Sequence, residues 1–283
     1  MKKITYILTL ITLAVLLACC DKIEGPYLQY DDSVETTVEF PELDRTSIYK
    51  KVLVEEFTGH RCQNCPDGHR LLATLLDTYG DTLVPLCVHA GYFANSNSDF
   101  PANFRTEEGT SLYQDFSVGA TPRAIFNHSR YNGLYALEMV KWAPAVAYFS
   151  QQPPIAAVQM INEFSGGVIT THTKTTFLTD FEEQVKLALY VIEDGIVSPQ
   201  IDDGDTIVDY VHNHVLRGSM NGTYGTFISD DGRVVADSGY VKSYRLVADG
   251  SWVPARCSVV AILMNATEPH EVLQVEKCPF LNE

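Results

Sequence analysis

The chain has 283 residues, of which 46% are hydrophobic and 11% aromatic; this is enough apolar material for substantial cores, and the length favours two domains. A formal net charge of −16 repels phosphate, which argues against nucleic acid or bare anionic membrane as a partner. Beyond Ala18 no apolar stretch approaches the length of a spanning helix, so the body of the chain reads as non-integral.

Lys2 and Lys3 form a short positive region ahead of an apolar run from Ile4 to Ala18, the anatomy of an export signal, too short to span a bilayer comfortably. The run ends in Leu16-Leu17-Ala18-Cys19, which resembles the lipobox of bacterial lipoproteins. The resemblance implies cleavage after residue 18 and lipidation of Cys19, leaving a body tethered to a membrane by acyl chains, each buried CH₂ contributing about 0.8 kcal/mol. Cys20 is the poorer acceptor, because Cys19 would then occupy the small-residue site. Residues 19–46 are acidic without steady periodicity and read as a tether with a short lead-in.

Residues 47–152 alternate strand-like and helix-like segments. Strands are expected at Lys51–Phe57, Thr82–His89 and Arg123–Asn127, and helices at His69–Tyr79, Phe104–Phe116 and Ala136–Ser150, an α/β pattern. After Pro153-Pro154, which marks the expected domain boundary, the texture turns to runs rich in Val, Ile, Thr and Tyr. These are Ile155–Ile161, Val168–Leu178, Gln184–Ile192, Asp209–Leu216, Tyr240–Val247, Cys257–Met264 and Glu271–Lys277. About seven short strands without a helix predict that residues 153–283 form an all-β antiparallel sandwich.

The densest chemistry lies at Phe57-Thr58-Gly59-His60-Arg61-Cys62-Gln63-Asn64-Cys65-Pro66, where a predicted strand gives way to a predicted helix. A thiolate attacks a disulfide, and the partial positive charge of a helix N-terminus favours the thiolate. Cys62 is the expected nucleophile and Cys65 the resolving thiol. The segment resembles the active-site turn of the thioredoxin superfamily, and Val118-Gly119-Ala120-Thr121-Pro122 ahead of a strand is a second match. By that resemblance Pro122 is a cis-proline beside the cysteine pair and Glu56 a buried proton acceptor. His60 and Arg61 stand where the family has a Trp, and Gln63-Asn64 is an unfamiliar insert.

Other readings stay open. The pair can be a permanent structural disulfide, as exported proteins often carry, and Cys62, Cys65, His60 and His69 could hold zinc. His212 and His214 alternate along an expected strand and so share a face, half a metal site; Asp202-Asp203-Gly204-Asp205 reads as a solvated turn. Neither a metal nor another cofactor is expected. Cys257 and Cys278 are expected to form a structural disulfide in the β-rich half, and Cys87 a buried free thiol.

With the lipobox, the CxxC unit, Tyr210-Val211-His212-Asn213-His214-Val215-Leu216-Arg217 and Asn221-Gly222-Thr223-Tyr224-Gly225, the chain resembles the outer-membrane-protein-28-related lipoproteins. The resemblance implies an outer-membrane location, a thioredoxin-like first domain and an immunoglobulin-like second one. Cys20 rather than Asp follows Cys19, so an inner-membrane retention signal is absent. Two functions are carried forward: thiol–disulfide exchange or redox-dependent binding of envelope protein clients, and a non-enzymatic surface or adhesin-like lipoprotein using the first unit as a scaffold.

Overall fold

The computed structural model of the protein describes residues 38–229 and 232–281; the leader and Cys19 lie outside the described residues. Strand β1 (Val52–Thr58) is buried along its whole length. It pairs in parallel with β2 (Leu83–His89), from Val52 opposite Leu83 to Thr58 opposite His89, and antiparallel with β3 (Arg123–Phe126). Parallel neighbours require a crossover, and helix α1 (Cys65–Tyr79) supplies it. This helix starts four residues before the expected His69. Its first turn is marked instead by Pro66, which has no N–H to leave unpaired, and by Asp67, which complements the helix dipole. Helix α2 (Glu107–Asp115) is capped by Thr106, whose Oγ1 accepts from Gly109 N at 3.0 Å. Leu72 and Leu75 of α1 pack with Trp142 and Phe149 of α3 (Trp142–Ser150) against one face of β1, β2 and β3.

The second half holds β4 (Ala156–Ser165), β5 (Val168–Phe177), β6 (Val185–Glu193), β7 (Ile196–Val197), β8 (Gln200–Asp202), β9 (Asp205–Ile207), β10 (Val211–His212), β11 (Val215–Ser219), β12 (Thr226–Phe227), β13 (Gly239–Val247), β14 (Cys257–Asn265) and β15 (Val272–Pro279). Six of the seven runs expected after Pro153-Pro154 are long strands, and the sheets are sandwich-like. One expected strand is broken: His214 adopts a left-handed φ of 57°, which splits the 209–216 segment into β10 and β11. His212 and His214 therefore do not share a strand face.

One sheet runs through both halves in the order β15-β14-β6-β11-β2-β1-β3, with Val215 of β11 parallel to Cys87 of β2. A second sheet, β13-β5-β4, packs on one face of β6 and β14 around Phe177, Leu187, Val191, Leu246 and Val259. The long sheet curls until its two ends meet. Val272 N of β15 donates to Asn127 O, just past β3, at 2.9 Å, and the Lys50 ammonium donates to the carbonyls of Val272 and Leu273 at 2.8 and 2.6 Å. The enclosed space is filled from both halves, by Leu53, Phe57, Leu86 and Val88 together with Tyr190, Ile192, Ile262 and Val275.

The expected Cys257–Cys278 bridge is corrected by the strand register. Cys278 stands opposite Val259, so Cys257 is its diagonal neighbour, and both thiols are free. Diagonal partners lie roughly 7–8 Å apart, beyond the Cα separation of about 4.4–6.8 Å that a disulfide tolerates. Cys87 is a buried free thiol.

Candidate functional site

Cys62 and Cys65 sit where β1 hands over to α1 and are joined as a disulfide, with their Cα atoms 5.4 Å apart. The zinc alternative would need both as thiolates, and among the described residues no cluster of three or more His, Cys, Asp or Glu side chains is arranged to hold a metal ion. The Thr121–Pro122 peptide is cis, and it brings the Thr121 carbonyl to 3.7 Å from Cys62 Sγ. Pro122 thus lies beside the pair.

Glu56 is fully buried beneath the first turn of α1. A Cβ built on Gly68, three residues along the helix from Cys65, would lie 3.2 Å from Glu56 Oε1 and 3.2 Å from Pro122 Cβ. The first turns of the helix therefore pack closely on both the acid and the cis-proline. The Glu56 carboxylate makes no close hydrogen bond; its ion-pair contact is His69 Nε2 at 3.5 Å. Across the ladder stands Cys87, whose thiol is pushed well up by burial and by the Glu56 charge.

The disulfide is closely covered: Cys62 is 3% exposed and Cys65 0%. The cover comes from the second half of the chain. Gln200 Nε2 donates to Cys62 O at 3.1 Å, Ile201 N to His60 O at 2.9 Å and Asp203 N to Gln63 O at 3.1 Å. Asp202 reaches Arg70 of α1 at 2.9 Å. The Asp202–Asp205 turn expected to be merely solvated is the tip of a hairpin, β8–β9, docked on the CxxC turn. On the other side Gly59 lies against the Phe93–Ala94 backbone, where a Cβ would come within 2.5 Å of Phe93 C. Gly59→Ala is expected to displace that loop and cost about 1–3 kcal/mol, read as a lower denaturant midpoint.

Behind the pair, a cavity of about 210 Å³ opens between α1 and residues 210–214, lined by His69, Cys87, His89, Tyr210, His212 and His214 among others. The Phe104 ring packs against the imidazoles of His89 and His212, with centroids 4.8 and 5.1 Å away, and His60 lies 6.2 Å from His89. Burial, reinforced by the neighbouring imidazoles, holds His89 well below the usual histidine range and His212 down at about 4. His60 is lowered as well, by burial first.

Sequence spacing finds Cys62, Cys65, Pro122 and Glu56, and the structure brings all four together. It does not find Gln200 on β8, His89 on β2 or Tyr210 just ahead of β10. The one local signal was His69 and His60 flanking the cysteines, a pair that the zinc alternative joined but the fold sends to different walls.

The fold and site define a β-rich, sandwich-like protein with a CxxC disulfide at a helix N-terminus. The chain belongs to the family of the outer membrane protein Omp28, whose pattern matches residues 109–280, more than half of the sequence, including Pro122 and the 210–217 motif but not the cysteine pair. The family name points to the outer membrane, and among the described residues no helix is long and apolar enough to cross one. No functionally curated protein matches the chain. Among solved structures it is similar to HBP35 of Porphyromonas gingivalis, with a TM-score of 0.67 and 17% identity over 82% of this chain and 76% of that one. It is also similar to protein AGR_C_4864 of Agrobacterium tumefaciens, with a TM-score of 0.50 and 15% identity over 83% and 97% of the two chains. At these identities the likeness concerns the fold.

Proposed function

We propose that the protein is a lipid-anchored outer-membrane thiol–disulfide exchange protein whose first half is a thioredoxin-like unit and whose second half is an immunoglobulin-like sandwich. The observation that carries this reading is the disulfide at the start of α1 with a cis Thr121–Pro122 peptide against Cys62. A client thiolate attacks Cys62 Sγ; the client–Cys62 bond forms, the Cys62–Cys65 bond breaks, and Cys65 leaves with the electron pair. A second client thiolate then displaces Cys62, so the client is oxidised by two electrons and the pair is reduced. The reverse sequence reduces a client disulfide. Cys65→Ser removes the resolving sulfur and is expected to accumulate reductant-sensitive adducts with envelope proteins through Cys62, absent when both cysteines are replaced. If no adduct forms and a dithiol of thioredoxin strength leaves the Cys62–Cys65 bond intact, the exchange reading fails.

The anchor is tested separately. Metabolic labelling with a fatty-acid analogue is expected to mark the native chain and to miss Cys19→Ala.

A second reading is favoured by the 3% exposure of Cys62 under the β8–β9 hairpin: a non-enzymatic surface lipoprotein with a structural disulfide. On that reading the Cys62→Ala, Cys65→Ala double variant folds and binds its partner normally.

A further inference from the structure

The exchange reading leaves a proton unaccounted for. When the Cys62–Cys65 bond opens, the Cys65 sulfur departs as a thiolate inside a region with no exposed surface, and it must gain a proton there; in reverse it must lose one. Glu56 lies beneath the same turn of α1, but it is also fully buried and has no solvent of its own. A buried acid without an exit can serve only one proton transfer.

His69 provides an exit. It lies four residues after Cys65 and so on the same face of α1. Its Nε2 is 3.5 Å from Glu56 Oε2 and 2.9 Å from Thr58 Oγ1, and its Nδ1 is 2.7 Å from the Tyr210 hydroxyl. The side chain is 17% exposed and borders the cavity between α1 and residues 210–214. We propose that His69 relays protons between Glu56 and the solvent in this cavity, with Tyr210, supplied by the second half of the chain, positioning its ring. In the oxidising direction a solvent proton passes through His69 to the Glu56 carboxylate and on to the Cys65 thiolate; in the reducing direction the proton runs outward by the same route.

The other groups that face His69 do not substitute for it. From β2, Cys87 has its thiol pushed well up and burial pushes the His89 imidazole well below the usual histidine range. From the 210–214 segment, burial holds His212 down at about 4, its ring 4.9 Å from that of Tyr210, and His214 Nδ1 is engaged by Asp194 at 2.9 Å. On α1 itself, Arg70 is engaged by Asp202 and Asp67. Of the histidines around this cluster, His69 is the one with an ion-pair contact to Glu56.

This inference rests on the exchange reading, and the test separates the two. The full mature chain in detergent micelles is mixed with a dithiol peptide, and opening of the Cys62–Cys65 bond is followed by stopped flow across pH 5–9. His69→Ala is expected to slow the step about 100-fold near neutral pH, the scale of a lost general acid–base group, and to flatten the pH profile. Imidazole in the buffer, which can enter the enlarged cavity, is expected to restore part of the rate. Tyr210→Phe, which keeps the ring, is expected to slow the step several-fold while preserving the profile. An unchanged rate and profile in His69→Ala overturns the relay, as does a uniform slowing at every pH without response to imidazole, which marks a structural role. A native chain whose disulfide does not exchange at all overturns the exchange reading and the relay with it.

Discussion

Replacing His128 by asparagine is expected to destabilise the protein by about 3–5 kcal/mol, the range found when one partner of a buried ion pair is removed. His128 Nε2 lies 2.9 Å from Glu55 Oε2, and the two side chains are 1% and 0% exposed inside the curled sheet. The second ring nitrogen meets the His270 carbonyl at 2.9 Å, and Phe116 packs on the ring at 4.8 Å. Without the imidazolium, Glu55 is a charge among Phe57, Tyr190 and Ile262 with nothing to balance it. Asparagine is the informative replacement because His128 has a φ of 51°, a conformation asparagine tolerates better than most residues. Glu55→Gln combined with His128→Asn is expected to cost less than His128→Asn alone, since the stranded charge is gone.

The same pair predicts the direction of a pH effect. Burial alone would lower the His128 pKa, but the charge and hydrogen bond of Glu55, aided by the His270 carbonyl, raise it above the ordinary 6.5. A raised histidine contributes stability that is fully present below its unfolded value and is lost as pH climbs through its folded value. Denaturant midpoints are therefore expected to fall as pH is raised from about 6.5 into the alkaline range, and the His128→Asn variant is expected to lose this part of the slope. A His128→Asn variant that keeps the native slope between about pH 6.5 and 8 would rule out a charged pair.

The second large effect concerns the division of the chain. A fragment ending at Gln152 is expected to remain unfolded, giving a far-UV spectrum without cooperative thermal change and no protected amides. In the whole protein β2 borders β11, and Leu53, Phe57, Val84, Leu86, Val88 and Ile125 are buried against residues 188–275. Exposing six such side chains at about 1.5–3 kcal/mol each is comparable with the whole net stability of a domain, about 5–15 kcal/mol. A fragment that melts cooperatively would show instead that the first half carries a sufficient core of its own around Trp142 and Leu72.

Much of this architecture is legible in the sequence, for identifiable reasons. β1, β2 and the six long strands after Pro153-Pro154 are written as apolar runs, and Leu71, Leu72, Leu75 and Leu76 mark α1 by their helical spacing. The cysteine spacing and Thr121-Pro122 are local and point to the site directly. What a one-dimensional pattern lacks is partner choice. Nothing in Val215–Ser219 indicates that it lies beside β2, nor in Val272 that it closes the sheet onto Asn127. The β8–β9 hairpin escapes notice because it docks largely through backbone groups and the Gln200 amide, which leave no hydrophobic signature. Cys257 and Cys278 mislead because proximity of strands is not registry of side chains.

A sheet whose ends meet also bears on life in a crowded envelope. The outer edge of β3 is paired with Leu137, whose backbone exchanges two hydrogen bonds with Ala124, and Val272 N at the start of β15 is taken by Asn127 O, so both ends of the long sheet are blunted as templates for a passing chain. The long strand β13 remains as an open edge of the smaller sheet, pairing on one side with β5. Lys242 and Arg245 lie along it, and charges of this kind discourage a second copy from adding there. Resistance to edge-to-edge aggregation therefore depends on Leu137 beside β3 and the contact of Asn127 with Val272, together with two basic side chains on β13.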